Sequence, residues 1–219
     1  MFIERNICNP EARTGWIEVI AGCMFSGKTE ELIRRLNRSA IARQKVAIFK
    51  PKVDNRYHAD NVVSHDRRVI ESVAVASARD IPPLVEGIEV VGIDEAQFFN
   101  ESIIDVANEL ANSGKRVVIA GLDMDYTGKP FGPMPYLLAI AEFVTKVNAI
   151  CARTGEIASY TFRHPGEDTA QVLLGEKDVY EARGRRAFYE GMESRDTYAA
   201  APKKKAAIKG KKAAKAKKR

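Results

Sequence analysis

Apolar residues along this chain gather into short runs separated by amphipathic or polar stretches. Gly15–Gly22 (GWIEVIAG) is largely apolar, ends on glycine and reads as a strand. Lys28–Arg43 follows, with Leu32, Ile33 and Leu36 at helical spacing and Arg34, Arg35 and Arg38 on the other faces. Lys45–Pro51 (KVAIFKP) predicts a second strand, stopped by proline. Val53–Arg68 is polar and reads as a long loop, Val69–Ala76 as a strand and Ala78–Glu86 as a short helical crossover. Glu89–Ile93 (EVVGI) and Arg116–Leu122 (RVVIAGL) are the nearly continuous apolar runs of parallel strands buried on both faces. Between them Asn100–Asn112 is an amphipathic helix with Gly114 placed to cap it, and Pro135–Val147 predicts a further helix. Strands alternating with helices predict an α/β fold with an open, mostly parallel sheet.

The texture changes after Asn148. Short β-like pieces, Ala158–Phe162 and Gln171–Leu174, flank a polar loop at Arg163–Thr169. This divides the chain into a main α/β domain (1–147), a small β-rich unit (148–193), and a linker with a Lys-rich tail (194–219). Ser194–Pro202 reads as the linker. The tail's composition cannot bury enough apolar surface to fold alone and predicts disorder.

Hydrophobic content of 45% and charged content of 29% are ordinary for a globular protein. The formal net charge of +6 is less informative than its location. Lys203–Arg219 holds ten Lys or Arg and no acid, so the remainder carries −4. The body is mildly acidic, and the tail reads as a solvated extension rather than a nucleic-acid arm. Met1–Asn6 carries charge where a signal peptide needs an unbroken apolar core, and no run approaches the roughly 18 apolar residues of a membrane span. Three scattered cysteines (Cys8, Cys23, Cys151) make no disulfide framework, so a reduced, cytoplasmic setting is expected.

Gly22-Cys23-Met24-Phe25-Ser26-Gly27-Lys28-Thr29 fits G-x-x-x-x-G-K-[ST] without mismatch, between a predicted strand and a predicted helix. Glycines let the backbone curl so that successive N–H groups face phosphate oxygens. Lys28 adds charge for the β- and γ-phosphates, the Thr29 hydroxyl can ligate Mg²⁺, and the helix N-terminus favours the same anion. The expected fold is therefore of the phosphate-loop NTPase type, with ATP and Mg²⁺ as cofactors. Asp94-Glu95 closes the strand Glu89–Ile93 and precedes Ala96-Gln97-Phe98-Phe99. An acid at a buried strand's carboxyl end holds Mg²⁺ in such proteins, and a second carboxylate can serve as general base.

Several segments together resemble the type II thymidine kinases, the tetrameric phosphate-loop kind: GCMFSGKT at Gly22–Thr29, DNRY at Asp54–Tyr57, DEAQFF at Asp94–Phe99 and KPFG at Lys129–Gly132. The similarity runs in order from about Trp16 to Tyr189. It implies an ATP-dependent kinase that makes dTMP from thymidine, a homotetramer, and feedback inhibition by dTTP. Glu95 matches the base that deprotonates the 5′-hydroxyl, Asp94 the acid of the Mg²⁺ shell, and Arg56 an arginine beside the transferring phosphate. Gln97 falls with the ATP-site residues. Met24, Phe98, Leu122, Tyr126 and Phe131 match the thymine pocket, with Tyr180 closing over the base. Thr161 and Leu173–Gly175 (Leu173, Leu174, Gly175) fall in the family's "lasso", which makes the small unit a lasso unit.

The chain departs from the family at the structural zinc that most members carry at the lasso base. The first ligand pair reads Cys151-Ala152-Arg153-Thr154 and the second Gly184-Arg185-Arg186-Ala187, so only Cys151 remains. Four ligands are needed, and zinc is expected to be absent. Tyr160, Phe162, Tyr180, Phe188 and Tyr189 are candidates to hold the unit instead. Two rival readings stay open at this point: a nucleic-acid-stimulated ATPase, which would use the basic tail, and a regulatory nucleotide-binding protein without catalysis.

Overall fold

Strand β1 (Trp16–Gly22) lies between β5 (Arg116–Leu122) and β6 (Phe143–Lys146), parallel to both. The computed structural model describes residues 14–52, 72–164 and 179–200, with side chains as far as Arg195. With β2 (Val46–Pro51), β3 (Ser72–Val75) and β4 (Val90–Ile93), these strands form a six-stranded, all-parallel sheet in the order β3–β2–β4–β5–β1–β6.

Side chains alternate across each strand, so β1 feeds two cores. Ile17, Val19 and Ala21 pack with Ile103, Val106, Ala107 and Leu110 of α2 (Ser102–Asn112) and with Met134 and Leu137 of α3 (Met134–Ile140). Ile20 faces the other way, toward Leu32 and Leu36 of α1 (Lys28–Ile41), with Ile48, Val90, Val118 and Ala120. Helix α1 lies close on this face: a Cβ at Gly92 would sit 2.5 Å from Leu36 Cδ1.

One residue of β1 breaks the apolar pattern. Glu18 is 2% exposed on the α1 face. Its carboxylate accepts from Arg35 Nη1 of α1 (2.8 Å), Arg116 Nε of β5 (2.6 Å) and Trp16 Nε1 (2.8 Å). Burial pushes the carboxyl up, but these donors outweigh it and hold it below the usual range. Arg35 also donates to Thr145 on β6 and Glu31 on α1. One buried acid thus ties a helix to three strands.

Two predicted elements differ. Ala78–Glu86 is two 3₁₀ turns, Ala78–Asp80 and Pro82–Leu84, because adjacent prolines remove the N–H groups a longer helix needs. Ser77 and Asp80 form a capping box on the first turn. Pro135–Val147 is helical only to Ile140; Phe143–Lys146, with aromatic Phe143 and β-branched Val144 and Thr145, is instead the sheet edge β6.

The small unit holds two antiparallel pairs, β7 (Ala149–Ile150) with β8 (Ile157–Ala158), and β9 (Tyr160–Arg163) with β10 (Tyr180–Arg183). Helix α4 (Arg185–Ala200) runs through most of Ser194–Pro202, the stretch that composition marks as a linker. The loop Val53–Arg68, the strand Gln171–Leu174 and the tail lie outside the described residues. No helix among the described residues is long and apolar enough to cross a membrane.

Replacing Arg35 with leucine leaves Glu18 buried with one fewer charged donor, a change that costs about 3–5 kcal/mol for buried pairs. Urea denaturation of Arg35→Leu is expected to show a clearly lower midpoint; an unchanged midpoint would mean that Arg116 and Trp16 suffice for Glu18.

Candidate active site

The chain leaves β1 at Gly22, where the backbone passes close to the end of β6. A Cβ there would lie 2.2 Å from the Val147 carbonyl oxygen, so only glycine fits. Phe25 (φ 64) and Gly27 (φ 82) then take left-handed conformations, separated by Ser26. Such alternation turns successive N–H groups toward one anion-sized hollow. Helix α1 starts at Lys28, with its N-terminal dipole at the same place.

Lys28 Nζ donates to the Cys23 carbonyl (2.8 Å), which also accepts from Ser26 Oγ (2.8 Å). Burial pushes the Lys28 amine down; the carboxylates of Glu95, Asp94 and Asp123 pull the other way. The loop also reaches into the small unit. Met24 N–H donates to Thr161 Oγ1 (3.0 Å) and Cys23 Sγ to the Ala158 carbonyl (3.3 Å).

Asp94 follows β4, and its N–H bonds the Phe49 carbonyl of β2 (2.9 Å). The Thr29 hydroxyl donates to its two oxygens at 3.1 and 3.3 Å. Burial first, then the Glu95 carboxylate, push Asp94 up to about 7, against the Glu95 N–H, Thr29 and Lys28. A buried carboxylate beside a hydroxyl is a hard-oxygen pair that suits Mg²⁺, which takes one or two protein ligands and fills the rest with phosphates and water.

Glu95 has a left-handed backbone (φ 52), which no glycine relieves and which costs about 1–3 kcal/mol. Its carboxylate accepts from Gln97 Nε2 (2.5 Å), and Gln97 Oε1 accepts from Leu122 N–H (2.9 Å) at the end of β5. Two glycines make room for Gln97. A Cβ at Gly121 would lie 2.9 Å from Gln97 Oε1, and one at Gly132 (φ 50) would lie 2.5 Å from the Gln97 carbonyl oxygen. Phe98 meets Phe131 edge-on, with centroids 5.8 Å apart.

The loop from Asp123 to Gly132 is shaped by Asp125, whose Oδ1 accepts from Thr127 N (2.8 Å), Thr127 Oγ1 (2.6 Å) and Lys129 N (3.2 Å). Arg163 lies 3.7 Å over the Tyr126 ring, so that face of the tyrosine is not available to a base. Tyr180 is buried on β10, in register with Arg163 of β9.

The structure thus brings Gly22–Thr29, Asp94, Glu95, Gln97, Phe98, Leu122, Phe131 and Thr161 to the carboxyl ends of β1, β4 and β5. Arg56, Leu173 and Gly175 lie outside the described residues. Sequence reasoning missed Asp123, 7% exposed and paired with Lys146 Nζ at 2.8 Å. The rule that picks out Asp94, an acid at the end of a buried strand, applies to it equally.

At the base of the small unit the four ligand positions implied by the resemblance do converge. Cys151 is buried with Ala187, Ala182 and Ala158, and a Cβ at Gly184 would lie 3.9 Å from Cys151 Cβ. Burial raises the Cys151 thiol, but the Thr154 side chain and the backbone of Gly184, Arg153 and Thr154 outweigh it and bring it down to about 7. One thiol, one hydroxyl, a glycine and an alanine do not fit a tetrahedral zinc ion. No group of three or more His, Cys, Asp or Glu suited to a metal occurs among the described residues.

A family model described as thymidine kinase matches residues 15–188. A thymidine kinase of Rhodothermus sp. (strain ITI 518) is 55% identical over 174 residues, which is 80% of this chain and 81% of that protein. One from Bacteroides thetaiotaomicron is 56% identical over 176 residues (80% and 88%), and one from Porphyromonas gingivalis (strain ATCC 33277) 58% over 168 residues (77% and 82%). The match spans the phosphate loop, both carboxylates, the Gln97 bridge and the small unit, and on that footing the chain belongs to the thymidine kinase family.

Proposed function

We propose that this protein transfers the γ-phosphate of ATP to the 5′-hydroxyl of thymidine in one in-line step, with Glu95 as the base. The observation that carries this reading is the Gln97 bridge, which holds a carboxylate beside the phosphate loop at a strained backbone position. Strain of this kind persists where the surroundings over-determine it, as at sites that need one orientation.

In this reading the loop amides and Lys28 hold the triphosphate, and Lys28 leaves the Cys23 carbonyl to do so. Thr29 and Asp94 would hold Mg²⁺, which when bound neutralises charge on the β- and γ-phosphate oxygens. Glu95 takes the proton from the attacking hydroxyl. Arg56 offsets charge at the transferring phosphoryl group. Met24, Phe98, Leu122 and Phe131 supply the apolar walls that suit a flat pyrimidine, with Thr161, Tyr126 and Tyr180 completing the pocket together with Leu173 and Gly175. A homotetramer, feedback inhibition by dTTP and a cytoplasmic setting belong to the same proposal. The family match leaves nothing to favour a nucleic-acid-stimulated ATPase.

Incubation with labelled ATP, Mg²⁺ and a panel of nucleosides, with and without DNA, tests the reading. Label is expected on thymidine; hydrolysis stimulated by DNA instead would overturn it. Glu95→Gln keeps the shape and an acceptor for Gln97 but removes the base, so kcat should fall about 10²–10⁴-fold. ATP affinity, read by equilibrium binding, should stay nearly unchanged.

We propose also that the protein works without structural zinc. Metal analysis after dialysis against a chelator is expected to find well under one zinc per chain. Stoichiometric retention would require a ligand set other than the one at Cys151.

A further inference from the structure

We propose that Arg183 is a positioning residue for the nucleoside site, its guanidinium locking the β9–β10 pair to helix α4. The inference rests on the reading that Thr161 and Tyr180 serve the nucleoside, since these two residues sit on the strands that the lock holds.

Arg183 is the last residue of β10 and is 5% exposed. Its guanidinium carbon lies 3.3 Å from the centre of the Phe162 ring on β9. Its Nη1 donates to the Ala187 carbonyl of α4 (3.1 Å), and its Nε to Glu181 Oε1 (2.5 Å). The Glu181 carboxylate also takes Arg153 Nε (3.1 Å) from the β7–β8 turn, with His164 Nε2 at 3.8 Å. One cation therefore joins β9, β10 and α4, and through Glu181 reaches β7–β8. A planar guanidinium stacked on a ring while donating along its edge is a role that arginine fills and lysine fills only in part.

The sequence of α4 carries an independent mark of the lock. Gly191 lies in the interior of a sixteen-residue helix, where glycine is unfavourable. A Cβ at that position would lie 1.8 Å from Arg183 Nη1 and 2.8 Å from Phe162 Cε2. The helix backbone thus closes the slot in which the guanidinium sits. Phe188, one turn earlier, stacks on Tyr160 of β9 at 4.5 Å and meets Phe162 edge-on at 6.4 Å.

The link to function runs along β9. Thr161 lies between Tyr160 and Phe162, both held by α4, and faces the phosphate loop, where its hydroxyl accepts from Met24 N–H. Tyr180 is on the strand that ends at Arg183. Loosening the lock shifts Thr161 and Tyr180 while leaving Lys28, Thr29, Asp94 and Glu95 on the main sheet. The consequence falls on nucleoside binding, not on ATP or the chemical step.

Steady-state kinetics of the full chain with thymidine and ATP test this, using Arg183→Leu, Arg183→Lys and Gly191→Ala. Arg183→Leu and Gly191→Ala are expected to raise the KM for thymidine about ten- to hundredfold, the scale of a displaced positioning contact, with ATP KM and saturating kcat little changed. Arg183→Lys keeps the Glu181 pair and should recover part of the loss. Folded variants with an unchanged thymidine KM overturn the proposal, as do equal changes in both KM values or a fall in kcat alone. If Arg183→Leu does not fold, the other two carry the test; if none folds, the role is structural only and the proposal fails. A wild-type chain that does not phosphorylate thymidine overturns the functional reading instead, a separate outcome.

Discussion

Gln97 is 2% exposed, and its amide spans the ends of two parallel strands, accepting from Leu122 N–H at the end of β5 and donating to Glu95 after β4. Much of the surrounding sequence follows from making this bridge fit. Gly132 has no Cβ because the Gln97 backbone occupies the space, Gly121 because Met134 and the Gln97 amide do, and Phe98 meets Phe131 beside the bridge. The two motifs DEAQFF and KPFG are therefore one structural device, although 29 residues separate them in the chain. A carboxylate held this way is fixed in orientation before any substrate arrives, which is the kind of preorganisation that the proposed role of Glu95 as base requires.

The sheet was legible because buried parallel strands are continuous apolar runs, and Trp16–Gly22, Val46–Pro51, Val90–Ile93 and Arg116–Leu122 all lie within the runs that predict them. Strand β6 was not. Phe143–Lys146 is an edge strand with three of its four residues exposed, so it lacks that apolar signature, and it follows a true helix without a breaker. Ala78–Glu86 is helical only as two 3₁₀ turns, since Ala78, Ile81 and Val85 do pack but two prolines forbid the hydrogen bonds of a continuous helix. At the site, Asp94 and Glu95 were legible from their place at a strand end. Asp123 has the same place and was passed over for want of a motif. Arg183 matches no motif: Glu181 and Ala187 lie near it in the chain, but only the fold brings the Phe162 ring of β9 under its guanidinium.

The small unit gathers at its base the positions that the family resemblance assigns to a zinc site, with residues that do not make a tetrahedral ligand set. The chain still brings residues 151, 154, 184 and 187 together, and backbone donors still lower the one remaining thiol. The apolar contacts of Cys151 with Ala158, Ala182 and Ala187 fill the space, and charge moves outward to the Arg153–Glu181–Arg183 cluster. A tetrahedral centre constrains four points in one place. The guanidinium lock instead distributes the constraint over stacking, an ion pair and a helix carbonyl, each weaker but jointly directional.

The contacts between this unit and the phosphate loop explain why the loop's own filling is informative. Only the glycines, Lys28 and Thr29 are demanded by phosphate. Cys23 and Met24 face other requirements: the thiol bonds the Ala158 carbonyl, and the Met24 N–H bonds Thr161. Both partners belong to the small unit, which carries the proposed nucleoside residues. The positions that a general phosphate-loop pattern leaves free are thus the ones that connect the donor site to the acceptor site. The contact is slight, one backbone N–H and one thiol, so it fixes where the small unit meets the loop while Lys28 and Thr29 stay anchored on α1. The specificity of GCMFSGKT as a motif is a record of that shared boundary, not of ATP alone.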